Sequence, residues 1–183
     1  MKKMLLHTCC APCSTAVIER LAQDYEITVL YYNPNIYPEA EYLKRKAEQI
    51  RYISILNNKG LKINYEDCDY NQNEFFDLVK GLENEPEGGK RCSVCFVLRL
   101  DFTAKLAKEK GFDIFTTSLT VSPHKNAQII NEIGQNISEK YGVEYFVSDF
   151  KKKDGYKRSI VLSKENNIYR QNYCGCKYSI WWE

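Results

Sequence analysis

The stretch Lys3-Met4-Leu5-Leu6-His7-Thr8-Cys9-Cys10-Ala11-Pro12-Cys13-Ser14 decides the fold. Its first half, Lys3–Thr8, is a short continuous apolar run, as in strands buried on both faces of a sheet. Its second half, Cys9–Ser14, turns the chain into a helix. Pro12 suits the first helical position, where its missing N–H costs nothing. Thr15–Tyr25 then carries apolar residues at helical spacing.

The rest of the chain continues this alternation. Ile27–Tyr32 reads as a second strand, ended by Asn33-Pro34-Asn35, and Pro38–Asn58 as a long charged helix. Leu61–Glu66 is a third strand and Asn73–Gly81 a short helix. Asn84–Lys90, with Pro86, Gly88 and Gly89, must be a loop. Arg91–Lys110 is a helix that stops at Gly111. Asp113–Thr117 is a strand leading into Ser118–Lys125, which breaks at Ser122-Pro123. Asn126–Tyr141 is helical, Val143–Val147 is a strand and Tyr156–Asn166 a helix. The tail 168–183 holds the last thiols. Strands and helices in this order predict a parallel sheet with helices on both faces. At 183 residues the chain suits one α/β domain spanning 1–183. In such sheets ligands bind beyond the carboxyl ends of the strands. Cys9-Cys10, Ser122-Pro123-His124 and residues 151–158 all follow strands and are expected to share that rim.

Composition narrows the class. Hydrophobic residues make up 44% and aromatics 13%, which suits a globular chain. No run of about 18 apolar residues exists, so no membrane span is predicted. Met1-Lys2-Lys3 is followed by only Met4-Leu5-Leu6 before His7, which predicts no export signal. The expected compartment is a reducing cytoplasm, where clustered cysteines denote metal binding or redox catalysis. Net charge is +2, unevenly spread: residues 1–90 carry 11 Lys/Arg against 14 Asp/Glu, and residues 91–183 carry 15 against 10. The excess concentrates in Lys151-Lys152-Lys153-Asp154-Gly155-Tyr156-Lys157-Arg158, a segment able to attract phosphate or simply to face solvent.

Seven of the eight cysteines fall into three groups: Cys9, Cys10 and Cys13; Cys92 and Cys95; Cys174 and Cys176. Thiols so close in sequence are hard to pair with one another and easy to gather around iron or zinc. Cys92 and Cys95 share one face of a helix start, where the helix dipole favours thiolate. Adjacent Cys9 and Cys10 serve one site only if the backbone turns there; otherwise each serves its own centre. Cys174-Gly175-Cys176 can meet a metal or close a strained, easily reduced ring. Cys68 reads as an ordinary residue. A closed zinc site takes four ligands, and a cubane iron–sulfur cluster also takes four thiolates. Seven thiols exceed one such site and fall short of two, which suggests one cluster plus a reactive thiol pair or an incompletely ligated metal.

Six motifs in order then resemble the QueH family of epoxyqueuosine reductases: His7–Ser14, Arg91–Phe96, Ser122–Lys125, Asp149–Lys153, Gly155–Ser159 and Tyr169–Cys176. The likeness runs from His7 to Tyr178. It implies a Rossmann-like sheet related to nucleotide-binding α-hydrolases and reduction of epoxyqueuosine to queuosine at the wobble position of transfer RNA. It also implies a [4Fe-4S] cluster and no cobalamin. Carried over by motif, Cys9, Cys10, Cys92 and Cys95 are the cluster ligands. Cys174 and Cys176 form a second redox element, either a disulfide pair or ligands of an additional mononuclear iron. Some members have aspartate where Cys13 stands, a candidate ligand of that iron, so Cys13 joins the catalytic group. His124 or a thiol is the expected proton donor, whereas His7, inside the first strand, is expected to pack in the core. Lys125, Lys151, Lys152, Lys153, Lys157, Arg158 and Arg170 are candidate phosphate partners. Tyr169, Tyr173 and Tyr178 are candidates to stack on the modified base, and Arg170 and Gln171 to orient its hydroxyls. The implied partners are transfer RNA carrying epoxyqueuosine in its anticodon loop and an electron donor.

Three other readings compete. An ATP-dependent RNA-thiolating or amidating enzyme would share the sheet, but it needs glycines after the first strand to bring backbone amides to phosphate; Thr8–Ser14 has none. A zinc-stapled nucleic-acid-binding module would use the same thiols without catalysis. A disulfide reductase would use Cys92 and Cys95 alone.

Overall fold

The computed structural model describes residues 1–180; residues 181–183, the end of the tail, lie outside the described residues. Five strands, β1 (Lys2–His7), β2 (Tyr25–Leu30), β3 (Asn64–Glu66), β4 (Ile114–Thr117) and β5 (Glu144–Tyr145), form one sheet in the order β3-β2-β1-β4-β5. Every pairing is parallel, with Leu5 opposite Thr28 on one side and Phe115 on the other. The first stretch quoted above thus becomes the central strand. Met4, Leu5 and Leu6 are fully buried. Met4 and Leu6 face one core with Val17, Ile18 and Phe150, while Leu5 faces the other with Leu100, Phe115 and Ile130. A central parallel strand needs apolar side chains on both faces, so its sequence cannot alternate.

Helix α1 (Ala11–Leu21) packs on α6 (Gly155–Glu165), and α4 (Lys90–Lys110) packs on α5 (Ala127–Tyr141). The long α2 (Glu39–Asn58) lies beside α1, and the short α3 (Asn73–Leu78) touches α4. Gly111 ends α4 in the left-handed conformation, at φ 73°. The element order matches the sequence reading, and two strands are shorter than their sequence patterns predict. Just before β3, the Ile63 N–H donates to Asn57 Oδ1 (2.8 Å) and its carbonyl accepts from Asn57 Nδ2 (2.9 Å), so the side chain takes the place of a ladder partner. After β5, the Phe146 carbonyl accepts from the Thr116 hydroxyl at 2.9 Å instead of continuing the ladder.

Strand order reverses between β1 and β4, since β2 and β3 lie on one side of β1 and β4 and β5 on the other. The crevice beyond the carboxyl ends of those two strands is where such sheets bind ligands. Cys9 follows β1 at this point. A short 3-10 turn, Ser118–Val121, and the loop carrying His124 and Lys125 follow β4.

Candidate metal and redox site

The chain bends at Cys9 directly after β1. That bend supplies the turn that two adjacent cysteines need to share one site. The Sγ atoms of Cys9, Cys10 and Cys13 all lie within 4.8 Å of one another, with the Cys9 and Cys10 sulfurs 3.8 Å apart. Cys10 is fully buried and Cys9 nearly so. Hydrogen bonding with Cys10 and Cys13 pushes the Cys9 thiol well below its ordinary range despite burial. Cys10 is held down by its hydrogen bond with Cys13, yet rises on balance to about 12 through its bond with Cys9 and its burial. Cys13 rises through its hydrogen bonds with Cys10 and Cys9 and its burial. Of the three, Cys9 is thus the thiol whose surroundings favour the thiolate, the form that binds metal.

Cys92 and Cys95 occupy the first turns of α4. The Gly88 N–H donates to Cys92 Sγ at 3.2 Å. Burial raises both thiols, Cys95 to about 12. Arg91 donates to the carbonyls of Leu82 (3.1 Å), Glu83 (3.2 Å) and Glu85 (2.6 Å), which fixes the loop ahead of the helix. Cys92, Cys95, Cys174 and Cys176 line one small cavity of about 90 Å³. Cys9, Cys13 and Cys174 line an adjoining cavity of about 450 Å³. Cys174, His124, Lys125 and Glu87 belong to both. Residues from three distant stretches thus line two adjoining cavities, with Cys174 on the wall of both.

The tail carrying Cys174 is held by side chains rather than by a ladder. Arg45 of α2 is 2% exposed. It donates to the carbonyls of Cys174 (3.0 Å) and Tyr173 (3.1 Å), pairs with Glu41 at 2.8 Å, and stacks over the Tyr173 ring. The Tyr37 N–H donates to the Gly175 carbonyl at 2.8 Å, and the Tyr173 hydroxyl donates to the Tyr37 carbonyl at 2.6 Å. Gly175 has φ 129°, and a Cβ there would stand 3.0 Å from both Arg45 Nη1 and Ile36 Cγ1. Only glycine fits that conformation and that space.

Two cations face the thiols. Arg99, one turn after Cys95, is 1% exposed and lines the smaller cavity. Burial opposes its charge, but Cys95, Cys174 and Cys9 raise its pKa on balance. Lys125 is half-buried, and its ammonium is likewise raised, against desolvation, by Cys174, Cys9 and Cys13. His124 is exposed and lines both cavities. The α5 cap is Asn126, whose Oδ1 accepts from the Ile129 N–H at 3.2 Å, which leaves the His124 ring free of that duty. His7 is fully buried, as its place in the first strand predicts. Its ring bonds Thr117 Oγ1 and the Tyr32 carbonyl, each at 2.9 Å, and burial, then Arg99, lowers its pKa to about 4.

The candidate substrate residues divide. Lys125, Arg170, Gln171 and Tyr173 line the larger cavity, with Tyr156 and Asn172. Gln171 Oε1 has no hydrogen-bond partner among the described residues. Lys152, Lys153 and Lys157 stand exposed outside it. Lys151 turns inward, donating to the carbonyls of Thr120 (2.9 Å) and Lys125 (3.1 Å), so it braces the His124 loop. Arg158 is paired with Glu19 at 3.0 Å. The Tyr169 hydroxyl bonds Glu41, and its ring lies under Lys44. Tyr178 lies under Arg91. Cys68 donates to the Tyr31 carbonyl at 3.3 Å and lines neither cavity. Arg45, Arg99 and Asn35 do not stand out in the sequence. Asn35 lines the smaller cavity with an unpartnered Oδ1. For Arg99 a signal existed: Cys92, Cys95 and Arg99 are spaced to share one helix face.

The donor set fits an iron–sulfur cluster. Thiolates are the soft ligands such clusters take, three sulfurs are already within reach of one ion, and two cations offset their charge.

A family model described as "Epoxyqueuosine reductase QueH" matches residues 4–181. A protein of that name from Staphylococcus epidermidis is 47% identical over 180 residues, covering 97% of this chain and 76% of that protein. Its counterpart from Streptococcus pyogenes serotype M1 is 49% identical over 177 residues, covering 96% and 69%. That of Thermotoga maritima is 39% identical over 181 residues, covering 98% and 91%. Among solved structures, the U34-tRNA thiolase NcsA from Methanococcus maripaludis, with its [4Fe-4S] cluster, superposes with a TM-score of 0.56 at 12% identity. The match covers 98% of this chain and 62% of that one. At that identity the likeness speaks for the fold alone.

Proposed function

The chain belongs to the QueH family of epoxyqueuosine reductases, and from that premise we infer that it converts epoxyqueuosine to queuosine in transfer RNA. The observation that carries this reading is the meeting of three thiol groups at two adjoining cavities. Removing the epoxide oxygen breaks two C–O bonds and forms one C=C bond. It consumes two electrons and two protons and releases water. A [4Fe-4S] cluster held by Cys9, Cys10, Cys92 and Cys95 would supply electrons one at a time.

Cys174 and Cys176 form the second redox element. Their oxidation from two thiols to one disulfide releases two electrons and two protons, which balances the epoxide step, and an external electron donor then restores the dithiol. In the alternative scheme they are instead, with Cys13, the donor set for an additional mononuclear iron. Cobalamin has no part in this scheme. His124, on the wall between the two cavities, donates the proton to the departing oxygen.

The larger cavity, about 450 Å³, accepts the modified base once it leaves the stack of the anticodon loop. Tyr173 offers a ring there, and Arg170 and Gln171 meet the substrate hydroxyls. Lys152, Lys153 and Lys157 contact phosphates, assisted by Arg158, while Lys125 stands over the thiols and Lys151 holds the loop that carries it. Tyr169 and Tyr178 support the tail. Among the described residues no helix is long and apolar enough to cross a membrane, and the reaction belongs where transfer RNA and reduced thiols coexist, in the cytoplasm.

The test is direct. Protein purified without oxygen is incubated with epoxyqueuosine-containing transfer RNA and a strong reductant, and the nucleoside is weighed by mass spectrometry. Loss of one oxygen atom is expected. An unchanged nucleoside mass with iron-loaded protein contradicts the reading.

A further inference from the structure

Two cations beside the thiols, Arg99 fully buried and Lys125 half-buried, have no carboxylate partner. Among the described residues, neither Arg99 nor Lys125 takes part in an ion pair within 4.0 Å of an acidic oxygen. Arg45, by contrast, is as deeply buried and is paired with Glu41. Arg99 Nε donates to the Cys95 carbonyl at 3.3 Å, and Nη1 to Asn33 Oδ1 at 3.4 Å, both neutral and both long. A guanidinium that is 1% exposed and lacks an anion is costly to bury. Glu87 also lines the smaller cavity, but it is exposed and makes no ion pair with either cation. The charge of Arg99 is thus left to be met by what that cavity holds beside Cys92, Cys95, Cys174 and Cys176. Lys125, on the loop after β4, lines the same cavity.

We propose that Arg99 and Lys125 are the counter-cations of the thiolate-bound metal centre, and that they hold its reduction potential up. This rests on the cluster reading above and adds to it what sets the driving force. Four thiolates and a cluster carry net negative charge, and each added electron increases it. A fixed positive charge in a buried, low-dielectric cavity makes that electron easier to accept. Neither side chain is a catalytic residue. Both act through the metal centre. Arg99 has the larger effect because it is fully buried, whereas Lys125 is half-buried and partly screened.

The experiment is a potentiometric titration of cluster-loaded protein without substrate, followed by electron paramagnetic resonance. Arg99→Met is expected to shift the midpoint to a more negative value. Arg99→Lys, which keeps the charge, should restore most of the wild-type value, and Lys125→Met should give a smaller negative shift. An Arg99→Met protein with full iron and sulfide content and the wild-type midpoint overturns the proposal. If Arg99→Met fails to fold or to hold the cluster, Lys125→Met decides: a negative shift supports the proposal and an unmoved midpoint overturns it. Wild-type protein without iron would instead overturn the cluster reading, and this inference with it.

Discussion

Cys9, Cys10 and Cys13 follow the central strand of the sheet, whereas Cys174 and Cys176 sit on a tail that, among the described residues, joins no strand and no α-helix. The first group is placed by β1, which is paired on both sides, and by α1, which starts at Ala11. The second is placed by one arginine, one backbone hydrogen bond from Tyr37, the Tyr173 hydroxyl and a glycine. The same element is thus held in two ways: sheet-anchored sulfurs that the fold cannot move without unfolding, and tail sulfurs that local contacts keep in position. That division suits a site in which a fixed metal centre works beside thiols that must change partners.

The comparison breaks most sharply at Arg45. Arg45→Ala removes two hydrogen bonds to the tail, the stacking on Tyr173 and a buried ion pair, so a loss of about 3–5 kcal/mol is expected. In folded protein, alkylation read by mass spectrometry should find Cys174 faster to react and the buried Cys176 newly reactive, with Cys10 still protected. Equal labelling of both groups would show that the tail has no separate clamp.

Gly175→Ala strains the same tail from within. A non-glycine residue at φ 129°, with its Cβ 3.0 Å from Arg45 Nη1, should cost about 1–3 kcal/mol in denaturant unfolding. An unchanged midpoint would mean that the tail can shift freely. On the other side, Ser14→Ala removes a hydroxyl that donates to the Ala11 carbonyl (2.8 Å) and accepts from Gln49 Nε2 (3.1 Å). A loss of about 1 kcal/mol is expected, with no gain in Cys9 or Cys10 labelling, because β1 still fixes the turn. Increased labelling there would erase the distinction between the two groups.

These particulars also explain what the sequence disclosed. The run Met4-Leu5-Leu6 and the Cys9–Ser14 turn announce the central strand and its helix, because a doubly buried strand has an unmistakable pattern. The thiol groups were legible through their spacing alone. Strand lengths were not, because a side chain such as that of Asn57 can take over a ladder hydrogen bond. Arg45 and Lys151 were hidden for a different reason. A charged residue on a helix or in a basic run normally faces solvent, and only the fold shows that Arg45 turns inward to hold a tail 129 residues away. Lys151 looks like its neighbours Lys152 and Lys153, yet its ammonium is used by the loop beside the site.

The claim that sulfurs from separate stretches hold one metal centre is tested most directly by counting iron and acid-labile sulfide per chain. The count is made in the wild type and in the double variants Cys9→Ala/Cys10→Ala and Cys92→Ala/Cys95→Ala. The wild type should carry about four sulfides for its four-thiolate cluster, and each double variant should lose them while remaining folded. A Cys92→Ala/Cys95→Ala protein that keeps its full sulfide would contradict a shared centre.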